Sequence, residues 1–526
     1  MPAPVAQISS LRLFHYLYVG LLLLLGAVLL APMLVYPFGS DHGSFATTAD
    51  VLRQGGMLYR DVWEIKPPGI YYLFAAAFAA FGRSMFAARL LDMLWTLAAA
   101  GVLALVGRRL LSWRAGVIGA FCFLAFYALG FDYWHTAQCD GFTSLPLALA
   151  ALVVLIAEER RSKSLALSAG ALVGLAMLLK FTVAGFLALP LLAVLTARGE
   201  PLKGRLPRAL CYLLGCAAPL ALTALLLARA GTLGNMLQIV ITWNSEYGRI
   251  RVGGAPLKVL RFLLGGGFLV LQLIGVLFLA GAISLILDRR ARPLWWFLPA
   301  WALAMILGVV AQGKYFAYHW LPLLPPVGLL AGQGLVFALD RVSQPFSGVG
   351  RRAMIAVCAV AMAALVGTAY WAHFQRPLHY LLGSTPREQY LAEFVNPGGY
   401  FSFPADLAVA EYVKGHSDPT DHIFVWGLEP LVCFLADRPP ASRFIHDALL
   451  LSPWSPESWR SLAVDDLRRT RPKFILVVHN DAQPWATGWG GDSYSYVGNY
   501  PALHDLIRGQ YHLVGRLEDF DVWERR

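Results

Sequence analysis

Long apolar runs recur along this 526-residue chain, and many approach the roughly 20 residues that a helix needs to cross a hydrocarbon core. In that medium each backbone N–H and C=O has to be satisfied within its own segment, so such runs are restricted to helices. Only 14% of the residues are charged, where a soluble chain would carry about 25%. The mean hydropathy is +0.57. These features define a polytopic α-helical membrane protein. The formal charge of +11 does not read as a nucleic-acid footprint, because no basic stripe or recognition motif accompanies it. Cys122, Cys139, Cys211, Cys216 and Cys358 lie in or beside apolar runs and Cys433 stands alone, with no metal-binding spacing among them. The first run, about Phe14 to Phe38, is too long for a signal-peptide core and lacks a small-residue cleavage site, so it is expected to be a retained span.

The short basic loops orient the spans. Arg108, Arg109 and Arg114 form one cluster, and Arg160, Arg161 and Lys163 a second. Arg198, Lys203, Arg205 and Arg208 form a third, Arg289, Arg290 and Arg292 a fourth, and Arg341, Arg351 and Arg352 a fifth. Placing all five in the cytoplasm predicts about eleven spans with the amino terminus inside. Between the second and third clusters the chain then crosses twice, turning near Lys180. Between Asp41 and the first cluster it crosses once, about Phe86 to Val106, and Ile70–Phe81 is left as a short re-entrant or interfacial segment. On the outer face this gathers the Asp41–Lys66 loop, the Trp134–Asp140 loop, the Lys180 turn, a loop from Gly231 to Pro256, and Gln312–Trp320.

The expected division is a membrane domain over 1–372, including the outer loop 39–85, and an extracytoplasmic domain over 373–526. The tail has no further spanning run. Strand-like stretches at Ile423–Trp426, Phe474–Val478, Tyr511–Val514 and Val522–Trp523 alternate with helical patterns at Asp406–Val413, Trp459–Arg469 and Pro501–Gly509. That alternation predicts a small α/β domain.

Ionisable groups at a membrane edge are costly and mark function by default. Asp41 follows the first span by a few residues and reads either as a general base or as the cap of a helix over Gly43–Leu52. His42 beside it could tune that carboxylate or touch a ligand. Lys66 stands before Pro67-Pro68, outside any helix, and reads as an anion-binding cation or as a snorkelling lysine. Glu64 could pair with it; a divalent metal at Glu64 is a weaker reading, and no cofactor is expected. Asp140 opens the next outward segment as a second acid or a cap, and Lys180 ends an apolar run. Lys314, Tyr315 and His319 fall in a stretch dense in polar and aromatic groups, part of which an aromatic belt would explain. Arg249 and Arg251 lie outside against the charge rule, as phosphate ligands or as a solvated loop. Together these residues suit attack by a weak hydroxyl nucleophile, with a carboxylate to take its proton and cations to meet a departing lipid phosphate.

The phrase Gly55-Gly56-Met57-Leu58-Tyr59-Arg60-Asp61, followed by Lys66-Pro67-Pro68-Gly69, resembles the GT-C membrane glycosyltransferases. The likeness is greatest to bacterial relatives of protein O-mannosyltransferases and of the lipid A aminoarabinose transferase. Gly313-Lys314-Tyr315-Phe316, with His319-Trp320 leading into Leu323-Leu324-Pro325-Pro326, and Val425-Trp426-Gly427 in the tail are similar too. The resemblance implies a multi-pass enzyme of a bacterial inner membrane, with its site on the outer side. It would move a sugar from a polyprenyl monophosphate to a glycan, lipid or protein acceptor, inverting and without a metal. It further implies that Asp41 is the catalytic acid of the first loop, that Lys66 lies near the lipid phosphate, and that Asp140 is the acid of the later loop. His42 departs from the Asp-Glu pair of many members, and Ile65 separates Glu64 from Lys66 where the aminoarabinose transferase has them adjacent. The competing reading is a lipid or solute transporter; it would require broken helices in related halves, and no internal repeat is visible.

Overall fold

The computed structural model describes residues 5–526 apart from 198, 251–256, 259–268, 290–292 and 397. Arg198, Arg251, Arg290, Arg292 and the end of the loop expected over 231–256 therefore lie outside the described residues. Eight helices among the described residues are long and apolar enough to cross a membrane: Leu17–Val35, Met85–Leu110, Trp113–Gly130, Cys139–Arg160, Leu202–Arg229, Leu269–Leu287, Ala317–Ser343 and Gly348–Leu381. Four shorter apolar helical segments accompany them, at Gly69–Phe81, Lys163–Leu179, Phe181–Leu195 and Phe297–Gln312. The segment expected not to cross is the helix Gly69–Phe81, 13 residues long. The turn expected at Lys180 is a break between the helix ending at Leu179 and a 3₁₀ segment beginning at Phe181.

The chain folds as two compact units. One comprises 1–35, 89–221 and 254–381; the other comprises 36–88, 222–253 and 382–526. Residues 36–88 and 222–253 fall in the same unit as 382–526, and 373–381 falls in the other.

In the first unit, close helix packing relies on small residues, as expected where hydrophobicity does not drive helices together. A Cβ at Gly281 would come within 1.9 Å of the Leu330 carbonyl oxygen, and one at Gly334 within 1.9 Å of the Leu277 oxygen. These two glycines let Leu269–Leu287 and Leu324–Ser343 touch backbone to backbone.

In the second unit, the helix Ser40–Arg53 packs on the helices Gly69–Phe81 and Leu431–Ala436. Gly43 allows the approach: a Cβ there would sit 2.7 Å from the Leu431 nitrogen. Ser40 Oγ donates to the Leu428 carbonyl (2.6 Å) and Thr47 Oγ1 to that of Pro430 (2.9 Å). Arg83 bridges the Asp50 carboxylate and the Phe434 carbonyl, each at 2.7 Å. The tail carries one four-stranded sheet built from β1 (Ile423–Trp426), β2 (Phe474–Val478), β3 (Tyr511–Leu517) and β4 (Phe520–Arg525), in the order β1-β2-β4-β3. β1 and β2 are parallel, with Ile423 opposite Phe474, and both are buried throughout, as parallel strands covered on two faces require. β4 joins antiparallel to β2 and to β3, with a bulge between Leu513 and Gly515. Val409 and Val413 of the helix Phe403–Gly415 pack with Ile423, Val425, Leu476 and Val522 as the core. The four strands and three helices expected from the alternation all form; β1 and β2 have the expected bounds, and the other elements run one to three residues longer at one or both ends.

Candidate active site

Asp41 lies in the first turn of the helix Ser40–Arg53, where the helix dipole favours an acid, and the N-cap position is held by Gly39 rather than by Asp41. Its Oδ1 instead takes Lys66 Nζ at 2.8 Å, and the carboxylate keeps 29% of its side-chain surface exposed. Lys66 is the more enclosed partner at 12%, with Nζ 4.3 Å from the centroid of Phe45. His42 is buried; its Nδ1 accepts from the Gly39 N–H (3.1 Å) and its ring stacks on Phe38. These contacts place the His42 ring against the start of the helix.

The strand-like run before Lys66 is held from several sides. Tyr59 adopts a positive φ of 63°. Its buried hydroxyl donates to the Lys66 carbonyl at 2.9 Å. Asn235 Nδ2 donates to the Tyr59 carbonyl (2.8 Å), and Asn244 Nδ2 donates to that of Ile65. Asn235 and Asn244 belong to one helical stretch, Leu233–Tyr247, whose centre is wound as a π-helix, a local distortion common at functional sites. Glu64 is 2% exposed. Its Oε2 accepts from the Tyr71 hydroxyl (3.0 Å) and the Ile65 N–H (2.9 Å), and its Oε1 lies 3.4 Å from His446 Nε2. Burial pushes the Glu64 carboxyl up, yet the contact with His446, the charge of Lys66 and the Ile65 N–H together hold it below the ordinary value. Among the described residues no group of three or more His, Cys, Asp or Glu is arranged to hold a metal ion.

The other unit holds a second acid–lysine pair. Asp140 is fully buried in the short helix Cys139–Phe142, and its Oδ2 meets Lys180 Nζ at 3.1 Å. The loop ahead of it is pinned by Met85–Leu110. Arg89 donates to the carbonyls of Thr136 (3.2 Å) and Tyr133 (2.7 Å), and Asp92 accepts from the Tyr127 hydroxyl (2.7 Å) and the Ala137 N–H (3.2 Å). Lys180 Nζ stands 6.0 Å from the Tyr318 ring centroid, and His319 packs edge-on against the same ring at 4.7 Å. Gly313 and Tyr315 both have positive φ, 68° and 56°. This turn separates the helix Phe297–Gln312 from Ala317–Leu323 and carries Lys314. Lys314 is 3% exposed, and burial pulls its ammonium down to about 8. Tyr315 lies under Lys258, with Nζ 5.1 Å from the ring centroid.

Of the expected residues, Asp41, Lys66 and His42 thus share the second unit, and Asp140, Lys180, Lys314, Tyr315 and His319 share the first. Arg249 belongs to the second unit, where it is 76% exposed and paired with Glu246 at 2.7 Å, the solvated arrangement. Tyr59, Tyr71, Asn244, His446, Arg89 and Asp92 were not singled out as site residues from the sequence. Asp92 and Arg89 had a readable signal, as charges inside an apolar span. His446 had none, since nothing in one dimension joins it to Glu64.

A family model described as dolichyl-phosphate-mannose-protein mannosyltransferase matches residues 65–228. The chain is similar in structure to ArnT from Cupriavidus metallidurans bound to undecaprenyl phosphate, at 18% identity and a TM-score of 0.58, covering 97% of each chain. For the apo state of that protein the values are 17% and 0.59, covering 96% of this chain and 97% of the other. The apo oligosaccharyltransferase of Archaeoglobus fulgidus matches at 14% identity and a TM-score of 0.50, over 94% of this chain and 72% of the other. A comparison with curated protein sequences gives no significant match.

Proposed function

From the premise that this polytopic chain has the fold of the GT-C membrane glycosyltransferases, we propose that it transfers a sugar from a polyprenyl-monophosphate donor to an acceptor hydroxyl. The acceptor hydroxyl oxygen attacks the anomeric carbon while the bond from that carbon to the phosphate oxygen breaks. The lipid phosphate leaves with the bonding electron pair, and the anomeric configuration inverts. Asp41 takes the hydroxyl proton. A partly exposed carboxylate at a helix start suits that role, because it is reachable yet fixed in place by the Ser40 and Thr47 contacts. Lys66, 2.8 Å from Asp41, meets the charge that develops on the leaving phosphate. A metal is not required where an ammonium supplies this charge. The fit to a polyprenyl carrier draws support from the ArnT likeness, since that protein was captured with undecaprenyl phosphate.

Asp140, Lys180, Lys314, Tyr315 and His319 contribute a second acid–cation cluster, to which we assign donor headgroup contact. We place the sites on the extracytoplasmic side, as the distribution of Lys and Arg among the loops argues, in a bacterial inner membrane, as the resemblance of the sequence implies. The acceptor is a glycan, lipid or protein.

The Asp41–Lys66 pair carries this reading. The decisive measurement is sugar release from a panel of polyprenyl-phosphate sugars by the purified full-length protein, wild type beside Asp41→Asn. Turnover of one donor, lost in the variant while donor binding persists, is the expected result. Unchanged turnover in Asp41→Asn would remove the base assignment. A wild type that binds and turns over none of the donors with any acceptor class would remove the function.

A further inference from the structure

Glu64 is a buried anion two residues from the lysine that the proposed reaction depends on. Its Oε2 is satisfied locally by Tyr71 and by the Ile65 N–H. Its Oε1 has no hydrogen-bond donor among the described residues, and the charged or polar group that approaches it is His446 Nε2, at 3.4 Å. A distance of 3.4 Å is long for a hydrogen bond and close for an electrostatic contact. His446 is 7% exposed and Glu64 2%, so the contact works in a poorly solvated setting where charge interactions are strong.

His446 is itself held firmly. The segment before it runs beside the segment before Glu64: the Trp63 N–H donates to the Arg443 carbonyl (2.8 Å), and Trp63 and Phe444 pair in parallel. Trp63 packs edge-on against Phe444 and Trp459, at 5.0 and 5.3 Å. Arg443 forks onto Asp466 of the helix Glu457–Thr470, at 2.9 and 3.0 Å. A backbone pair, an aromatic cluster and a bidentate ion pair thus fix the point from which His446 reaches Glu64.

We propose that His446 is a positioning residue for the donor-phosphate subsite. It compensates Glu64, so that Lys66 remains directed at Asp41 and at the lipid phosphate instead of being drawn back to a bare buried carboxylate. The inference rests on the functional reading above and adds a residue from the tail to that site.

The test is equilibrium binding of undecaprenyl phosphate to the full-length protein in detergent, with melting temperature measured in parallel, for wild type, His446→Ala, His446→Gln, Glu64→Gln and the Glu64→Gln/His446→Ala double variant. The glutamine amide N–H can stand near the place of Nε2, so His446→Gln is expected to bind within about threefold of wild type, whereas His446→Ala loses about tenfold. In the Glu64→Gln background His446→Ala is expected to cost little more, because no buried anion remains to be compensated. Wild-type binding by His446→Ala, or an equal loss with and without Glu64, would overturn the inference and leave the function intact. A wild type that fails to bind the lipid would overturn both. If His446→Ala does not fold, His446→Gln decides: a tenfold loss with an unchanged melting temperature overturns the compensation argument, and retained binding supports it.

Discussion

Two acid–lysine pairs of nearly equal length sit in different units of this protein, and they differ in access. The Asp41–Lys66 contact is 2.8 Å, and its carboxylate is 29% exposed. The Asp140–Lys180 contact is 3.1 Å, and its carboxylate is fully enclosed. A proton acceptor has to be reached by the group it deprotonates, whereas an enclosed carboxylate mainly holds a neighbouring cation in place. Asp140 also sits on a loop tied down by Arg89 and Asp92. The difference in access favours the first pair over the second as the proton acceptor of the proposed reaction.

The sharpest way to break that contrast is to neutralise each acid. Asp41→Asn should lower the transfer rate by roughly a hundredfold or more, with donor binding retained. Single-turnover kinetics read this directly. Asp140→Asn should instead act first on stability, by about 1.5–3 kcal/mol, because Lys180 loses its charged partner in an enclosed setting. A melting curve that shifts more for Asp41→Asn than for Asp140→Asn would reverse the assignment.

Next in size is Lys66→Met, expected to weaken polyprenyl-phosphate binding by about ten- to a hundredfold, with Lys66→Arg intermediate. Equal affinity in Lys66→Met and wild type would detach the lysine from the phosphate.

Lys314 offers a pH test in the other unit. Its ammonium is pulled down to about 8 by burial, so its charge is present below that pH and fades above it. Donor affinity should fall several-fold as pH rises from 7 to 9 if Lys314 meets the phosphate. Lys314→Arg should flatten that slope, and an unchanged slope in the variant argues against the contact.

The smallest expected effect lies in the tail. Burial pushes Asp406 up to about 7, and burial with the neighbouring Asp406 charge raises Glu429. Carboxyls whose folded values are raised bind protons more tightly in the native state, so their stabilising contribution is complete at low pH and is lost as pH rises through about 7. The melting temperature of the tail should therefore drop by a few degrees between pH 5.5 and pH 8. Asp406→Asn should remove most of that drop, and a transition independent of pH would show that the pair does not titrate there.

The same comparison shows where reading in one dimension succeeds. The strands at Ile423 and Phe474 were legible because an unbroken buried apolar run bounded by turns has few other uses. Glu64 was harder. Its pairing with Lys66 was the natural expectation from proximity along the chain, yet Tyr71 and His446 surround it, the latter from a segment hundreds of residues further along. Asp41 and Asp140 both carried the alternative of a helix cap. Both do lie in first turns, but each side chain faces a lysine. Arg249 is exposed and paired with Glu246, a neighbour three residues before it in the chain.

What the chain's order of residues determined alone was its class: apolar runs that can be satisfied only as helices, and an α/β tail in which short strand-like runs alternate with helical patterns. It also picked out Asp41 and Lys66 as costly charges at a membrane edge. The tertiary structure decided which acid pairs with which lysine, how exposed each pair is, and that residues 36–88 belong to one compact unit with the tail. Those outcomes depend on contacts between distant segments, such as Gly43 against Leu431 and Glu64 beside His446. Periodicity and charge order describe a segment's own preferences; they hold no information about which distant backbone will pack close enough to touch it.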